Sequence, residues 1–368
     1  MSKRVLVVTE AGDAWPSGWV RALIYKDLFR DRNIQVDYVS RQSSWLTSLQ
    51  GRPGLLYGRL LNAGLGGVLG RLGAVVARGR ENLIVRQALR GYDAIYLQKI
   101  GSLELVSALR REYAGRLVFD LNDALWLPAH SGFANGKVRE ILSVVDAVTC
   151  DNPHGLTFAR SLNQNVFLVP DPAQVEMIDQ YRASASKSNS PLVLGWIGGY
   201  STLFNLFPIW EALEIVFSYH EDIVLRLVGT GHNPLLLPRF EQVRFSTISH
   251  YSRSDMAREV LGMDIGLFPL FDVQDSLARG ILKSAIYMSG EAAVIASPRG
   301  QVLELIQDGV NGMLANSTQE WVDKLERLIS DHELRRRIAA AGLETVRRDY
   351  SLDKSFDALL HALGISDK

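Results

Sequence analysis

Arg279 and Lys283 are four residues apart, the spacing that places two side chains on one face of a helix. Together they would present two cations and several N–H donors to one anion. Gly198, Gly199, Ser201 and Thr202 follow the apolar run LVLGWI, and such a loop offers backbone amides and hydroxyls to phosphate oxygens. Arg299 stands in the turn Pro298-Arg299-Gly300, ahead of a helix that begins near Gln301 and carries Glu304. In the first half, Asp120, Asn122 and Asp123 close the apolar run RLVFDL, and a carboxylate within reach of a hydroxyl can take its proton. Two further glycine-bearing strand ends contribute Gly12, Ser17 and Gly18 after RVLVVT, and Gly229 after IVLRLV.

The elements that position these residues alternate. RVLVVT, QVDYVS, YDAIYLQ, RLVFDL, DAVTC and NVFLVP are strand-like and separated by helical stretches. LVLGWIG, IVLRLVG, VRFSTI, DIGLFPL and AAVIAS repeat the theme in the second half. Such alternation predicts parallel sheets with helices on both faces, and 368 residues with 47% hydrophobic content suffice for two such cores. The polar stretch RASASKSNSP, Arg182–Pro191, is the predicted linker. The expected division is therefore 1–182 and 183–350, with 351–368 as a last helix whose Phe356, Leu359, Leu360 and Leu363 share one face. Ser276–Met288 reads as one amphipathic helix.

Composition excludes several classes. Forty basic and forty acidic side chains cancel, which argues against a nucleic-acid partner. One cysteine, Cys150, precludes an intrachain disulfide, and its apolar setting AVTC predicts burial. Seven scattered histidines without ligand spacing, His232 and His250 among them, predict no metal site. The loop TEAGDAWPSGWVRA lacks the GxGxxG spacing of dinucleotide binding. MSKRVLVVTEAG runs from a basic start directly into a strand-like stretch, so no secretory signal and a cytoplasmic location are expected. Residues 51–91 hold seven arginines (52, 59, 71, 78, 80, 86, 90) against the single acid Glu81, among Leu, Val, Ala and Gly. Two readings stand: core helices with solvated arginines, or an interfacial element that brings the protein to the inner face of an anionic membrane.

The segment YMSGEAAVIASPRGQVLELIQDGVNGMLA resembles the C-terminal signature of glycosyltransferase family 4 and its relatives, roughly EAMAxGxPVVASxxGGxxEhhxDGxNGhL with h apolar. It aligns without gaps from Met288 to Ala315. The signature's leading glutamate falls on Ile286 and its partner on Ala278, so both carboxylates are absent. Arg279, Lys283, Tyr287 and Met288 are similar to the pattern GKxxxKLLxYMA of a subset of the family. RLVFDLNDALW is similar to that subset's VFDxDDALW, and GWIGGYST to its GWxGxxxT.

The resemblance implies an α/β GT-B fold: two Rossmann-like, doubly wound parallel-sheet domains facing a cleft. It implies a glycosyltransferase of hexosyltransferase type that moves a sugar from a nucleotide-diphosphate donor to a glycan or lipid-linked acceptor, retaining and metal-independent, in cell-surface glycan synthesis. A nucleotide-diphosphate sugar is the donor substrate and no further cofactor is implied. Donor contacts map to Gly198, Gly199, Ser201, Thr202, Gly229, Arg279, Lys283, Arg299 and Glu304. The acceptor side maps to Gly12, Ser17, Gly18 and Asp120, and the catalytic set to Asp123, Asn122, Arg279 and Lys283. The missing glutamates leave open a second reading, a non-catalytic GT-B subunit that binds a partner transferase or glycan. A sugar-nucleotide epimerase of similar architecture is the third.

Overall fold

The computed structural model describes residues 2–42, 66–128, 136–184, 191–231, 245–248 and 252–365. Linker positions 185–190, Arg52, Arg59, His232, His250 and the side chain of Arg71 lie outside the described residues. The chain divides into two compact units, Met1–Pro170 with Ser355–Lys368, and Asp171–Lys354.

The first unit holds one parallel sheet in the order β2-β1-β3-β4-β5-β6: β1 (Arg4–Thr9), β2 (Gln35–Ser40), β3 (Ala94–Gln98), β4 (Arg116–Leu121), β5 (Ala147–Cys150) and β6 (Val166–Leu168). β1, β3, β4 and β5 are almost wholly buried apolar runs, as expected of strands covered on both faces. The covering helices are α1 (Pro16–Arg21), α2 (Lys26–Asp31), α3 (Gly66–Ala88), α4 (Leu103–Glu112), α5 (Lys137–Val144) and α6 (Pro153–Arg160). Cys150 is fully buried in this core, and burial pushes its thiol well above the usual range, with the Asp151 charge adding to the effect.

One buried charge pair ties this unit together. Arg21 and Asp120 are 1% and 0% exposed, with Arg21 Nη2 2.6 Å from Asp120 Oδ1 and Nε donating to Oδ2 at 3.2 Å. Thr149 Oγ1 donates to Asp120 Oδ1 at 2.7 Å, and Arg21 Nη1 donates to the Val169 carbonyl at 2.5 Å. A single guanidinium thus links α1 to β4 and to the chain just beyond β6.

The second unit holds the sheet β12-β11-β10-β7-β8-β9, again all parallel: β7 (Leu192–Ile197), β8 (Ile223–Val228), β9 (Phe245–Ile248), β10 (Ile265–Phe268), β11 (Ala293–Ala296) and β12 (Met313–Leu314). Its helices are α7 (Val175–Arg182), α8 (Trp210–Tyr219), α9 (Arg253–Leu261), α10 (Gln274–Leu277), α11 (Leu282–Ser289), α12 (Val302–Leu305), α13 (Thr318–Ser330) and α14 (His332–Asp349). Both units are Rossmann-like. Val175 and Ile178 of α7 lie in the core of the second unit. The final helix, α15 (Leu352–Leu363), contributes Phe356 to the first, 4.8 Å from the Phe29 ring and 5.6 Å from that of Tyr25.

The single helix expected over Ser276–Met288 is two, α10 and α11, interrupted at residues 278–281. Gly300 accounts for the interruption. It sits at φ +63°, and a Cβ there would lie 2.6 Å from the Arg279 carbonyl oxygen, so the turn before α12 presses its backbone onto the break. Gln301 N donates to the same carbonyl at 3.2 Å. Arg279 therefore lies in the turn ahead of α11 and does not share a helical face with Lys283.

Replacing Asp120 by Ala leaves the Arg21 guanidinium buried without its carboxylate. The expected loss is about 3–5 kcal/mol, read as a lowered urea midpoint with an unchanged slope.

Candidate functional site

In the second sheet the connections run outward in opposite directions from β7 and β10, which are adjacent, and open α/β sheets bind ligands outside the carboxyl ends of strands at such a reversal. The residues gathered there are mostly those singled out above. β7 ends at Ile197, whose amide donates at 2.8 Å to the hydroxyl of Tyr287, a side chain of α11 with no solvent exposure. This bond fixes where the sheet stops and the Gly198-Gly199 loop begins. A ten-residue 3-10 helix, Tyr200–Ile209, follows the loop, and Thr202 N donates to the Gly199 carbonyl at 2.9 Å.

Lys283, half-buried on α11, reaches back to this loop. Its Nζ lies 4.5 Å from the centroid of the buried Trp196 ring and donates to Thr202 Oγ1 at 3.4 Å. Gly198 makes the approach possible, because a Cβ there would lie 2.5 Å from Trp196 Cη2 and 2.8 Å from Lys283 Nζ. The lysine is held by a ring face and a hydroxyl, and neither carries a full negative charge. Burial, with the Arg279 charge adding to it, lowers its pKa to about 7.

The other expected donor contacts are placed as follows. Arg279 pairs with the Asp275 carboxylate. Arg299 pairs with Asp272 at 3.0 Å and donates to Asn316 Oδ1 at 2.9 Å. Glu304 is exposed on the four-residue α12, and Ser201 is exposed beside Thr202. Gly229, at φ +90°, follows β8 and donates to the Ile248 carbonyl at 2.7 Å. Ala278 and Ile286 are 0% and 4% exposed, and Ile286 belongs to the apolar core. Sequence reading missed the stacked rings of Phe204 and Phe271, 5.8 Å apart, which join the loops after β7 and β10. Phe204 is 46% exposed. It also missed Trp196, whose signal was its place two residues before the Gly-Gly pair.

In the first unit, Asn122 Nδ2 donates to Asp151 Oδ2 at 2.9 Å, and Asn152 Nδ2 donates to Asp151 Oδ1 at 2.8 Å. Asn152 in turn caps α6, its Oδ1 accepting from Gly155 N. Asp123 pairs with Lys99, Nζ to Oδ2 2.5 Å. Asp120 lies in the interior with Arg21. Gly12 takes φ +57° and donates to Thr9 Oγ1 at 3.0 Å, with Gly18 packed against it and Ser17 half-buried on the six-residue α1. At the end of β1, Glu10 is 4% exposed and accepts from Arg41, from Gln42 Nε2 (2.8 Å) and from Gly101 N (3.2 Å). Neither Glu10 nor Lys99 was expected from the sequence. No group of three or more His, Cys, Asp or Glu side chains that could hold a metal occurs among the described residues.

Solved structures decide the architecture. The Anabaena protein HepE, crystallised with UDP-glucose, superposes with a TM-score of 0.68 at 16% identity, covering 98% of this chain and 99% of that one. The fold is GT-B. A glycosyltransferase from Rickettsia africae gives 0.69 at 13% identity over 98% of both chains. Sucrose-phosphate synthase from Thermosynechococcus elongatus gives 0.66 at 12%, over 98% of this chain and 97% of that one. A family model described as Glycosyl transferase-like matches residues 211–361. Among curated proteins, a PqqA peptide cyclase of Methylorubrum populi is 28% identical over 146 residues, 38% of this chain. The chain spans 37% of that relative's length.

Lys283 makes the stability of this GT-B protein depend on pH in a stated direction. In the unfolded chain the ammonium holds its proton up to the ordinary 10.5, and in the folded protein only to about 7. Between those values the unfolded state binds more protons, so this group makes folding more favourable as pH rises and less so as pH falls. Urea midpoints of the parent and of Lys283→Met, taken from pH 7 to pH 10, should show the parent gaining on the variant. Parallel curves would mean that Lys283 titrates normally.

Proposed function

We propose that the protein is a glycosyltransferase whose second unit holds a nucleoside-diphosphate sugar and whose first unit presents the acceptor, a glycan or lipid-linked sugar. The observation that carries this reading is the constellation at the β7/β10 reversal. Gly198 and Gly199 offer small loop positions, and Thr202 a hydroxyl, beside an ammonium that has no carboxylate among its hydrogen-bond and ring partners. An incoming diphosphate supplies that negative charge. The UDP, UDP-glucose and glucose found with HepE support a nucleotide sugar as the donor class.

In the proposed reaction the acceptor oxygen bonds to the anomeric carbon as the bond from that carbon to the diphosphate oxygen breaks. The electron pair departs with the nucleoside diphosphate, and the hydroxyl proton passes to a base for which Asp123 is the candidate. Lys283, with Arg279 once its Asp275 contact is exchanged for phosphate, stabilises the leaving group. This cationic stabilisation supports a metal-independent reaction, and the family resemblance supports retention of configuration and a hexosyl group. Gly229, Arg299 and Glu304 are assigned to the surroundings of the donor, and Gly12, Ser17, Gly18, Asn122 and Asp120 to the support of the acceptor side.

A screen of melting temperature against UDP, GDP, TDP and their sugars tests the donor site. A ligand at a hundred times its Kd adds about 2.7 kcal/mol. One nucleotide should shift the parent clearly, while Lys283→Ala and Gly198→Ala should lose most of the shift, since each removes or displaces the ammonium. A parent that responds to none would favour the non-catalytic subunit suggested by Ala278 and Ile286.

Peripheral attachment to the cytoplasmic membrane face belongs to the same proposal. On α3 and just beyond it, Val75, Leu83 and Leu89 are 69%, 62% and 57% exposed, and the interleaved Arg78, Arg86 and Arg90 are exposed too. Glu81 turns inward to Arg41 at 3.0 Å, leaving no acid of α3 on this face among the described residues. Each basic residue near an anionic surface contributes about 1 kcal/mol. The protein should sediment with phosphatidylserine vesicles at low salt and be released at high salt, and Arg78→Glu/Arg86→Glu should stay in the supernatant. No helix among the described residues is long and apolar enough to cross a membrane.

A further inference from the structure

Four non-glycine residues among those described have a left-handed backbone, and two of them, Lys99 at φ +53° and Asp123 at φ +64°, are bonded to each other. A side chain in this region costs free energy that the surroundings must offset, and such residues gather at functional sites. Lys99 directly follows β3, and Asp123 stands two residues beyond β4, its immediate neighbour. In the order β2-β1-β3-β4-β5-β6 the connections reverse between β1 and β3, so the Lys99 loop lies where a ligand is expected in such a sheet.

Both loops are braced from outside the pair. Glu10 N donates to the Gln98 carbonyl at 3.2 Å, and the Glu10 carboxylate accepts from Gly101 N. Ser102 then caps α4 through Leu105 N. On the other side, Asn122 is held by Asp151, itself bonded to the cap of α6. Neither brace requires a side chain at 99 or a carboxylate at 123, so the fold holds these two backbones in place whatever the pair does. The side chains of Lys99 and Asp123 remain 15% and 22% exposed, enough for one small polar group to reach them.

We propose that Lys99 is a positioning residue of the acceptor site: its ammonium keeps the Asp123 carboxylate aimed, and the acceptor hydroxyl docks against the pair. The inference rests on the transferase reading above and adds the residue that orients its base. A lysine that only stabilised the fold would be replaceable at a cost in melting temperature. A lysine held in a strained backbone for function is removed at little or no such cost.

The experiment combines three readouts on Lys99→Gly, Lys99→Met and Lys99→Arg: melting temperature, the shift induced by UDP, and UDP release from UDP-glucose with octyl β-glucoside as the hydroxyl probe. Lys99→Gly should melt within about 2 °C of the parent or higher, and all three variants should keep the parent's UDP shift. Lys99→Met should release UDP about 100-fold more slowly, and Lys99→Arg should recover at least a tenth of the parental rate. A drop of many degrees in Lys99→Gly, or a lost UDP shift, would make the pair structural and overturn the proposal. Parental release by Lys99→Met would overturn it equally. A parent that binds UDP and releases none from UDP-glucose would remove the transferase reading, and the acceptor role of Lys99 with it.

Discussion

A strand buried on both faces can do chemistry only at its ends, and the other features of this molecule follow from that constraint. Every paired strand described is parallel to its neighbours, so the carboxyl ends of each sheet lie along one edge. The residues that leave those ends are the ones with polar work to do, by side chain or by backbone: Glu10, Lys99, Asn122, Asp123 and Asp151 in the first unit, and Gly198, Thr202 and Gly229 in the second. Apolar runs such as VLVV and AVIA supply burial and carry no other information.

The two edges solve the problem of holding charge in different ways. In the first unit nearly every ionic side chain at the edge is matched: Arg21 by Asp120, Arg41 by Glu10 and Glu81, Lys99 by Asp123. Matched pairs fix geometry. In the second unit Lys283 rests on the Trp196 ring and on a hydroxyl, and burial, with the Arg279 charge adding to it, depresses its pKa. An edge built this way suits an anion, because the ligand completes the electrostatics. Arg279 stands between these cases, held by Asp275 in the turn ahead of α11.

The sequence was legible where periodicity and burial set the answer. The apolar runs chosen as strands are strands, and the C-terminal stripe Phe356, Leu359, Leu360 and Leu363 is a buried helical face. Legibility failed where two distant segments negotiate one backbone. Nothing local to residues 276–288 breaks a helix decisively, since one glycine, Gly280, is tolerated in many helices. The break depends on Gly300 pressing against the Arg279 carbonyl. Lys99 failed for a related reason: a lysine after a strand looks like an ordinary solvated end, and the bonds on either side of it are to Glu10, 89 positions earlier in the chain.

The two positions matched to the signature's glutamates hold apolar side chains. At positions 278 and 286 this chain has Ala and Ile, both packed into the interior, so no vacancy remains where carboxylates would stand. With apolar side chains at both positions, Lys283 meets the Trp196 ring face and the Thr202 hydroxyl. The tryptophan can be there because Gly198 has no Cβ, and the tyrosine that closes the strand can be there because Gly266 has none. Trp196, Gly198, Gly266, Lys283 and Tyr287 thus form one mutually dependent set. A substitution at any of them is felt at the lysine, which is why the glycine-rich edge of β7 matters as much as the charge it supports.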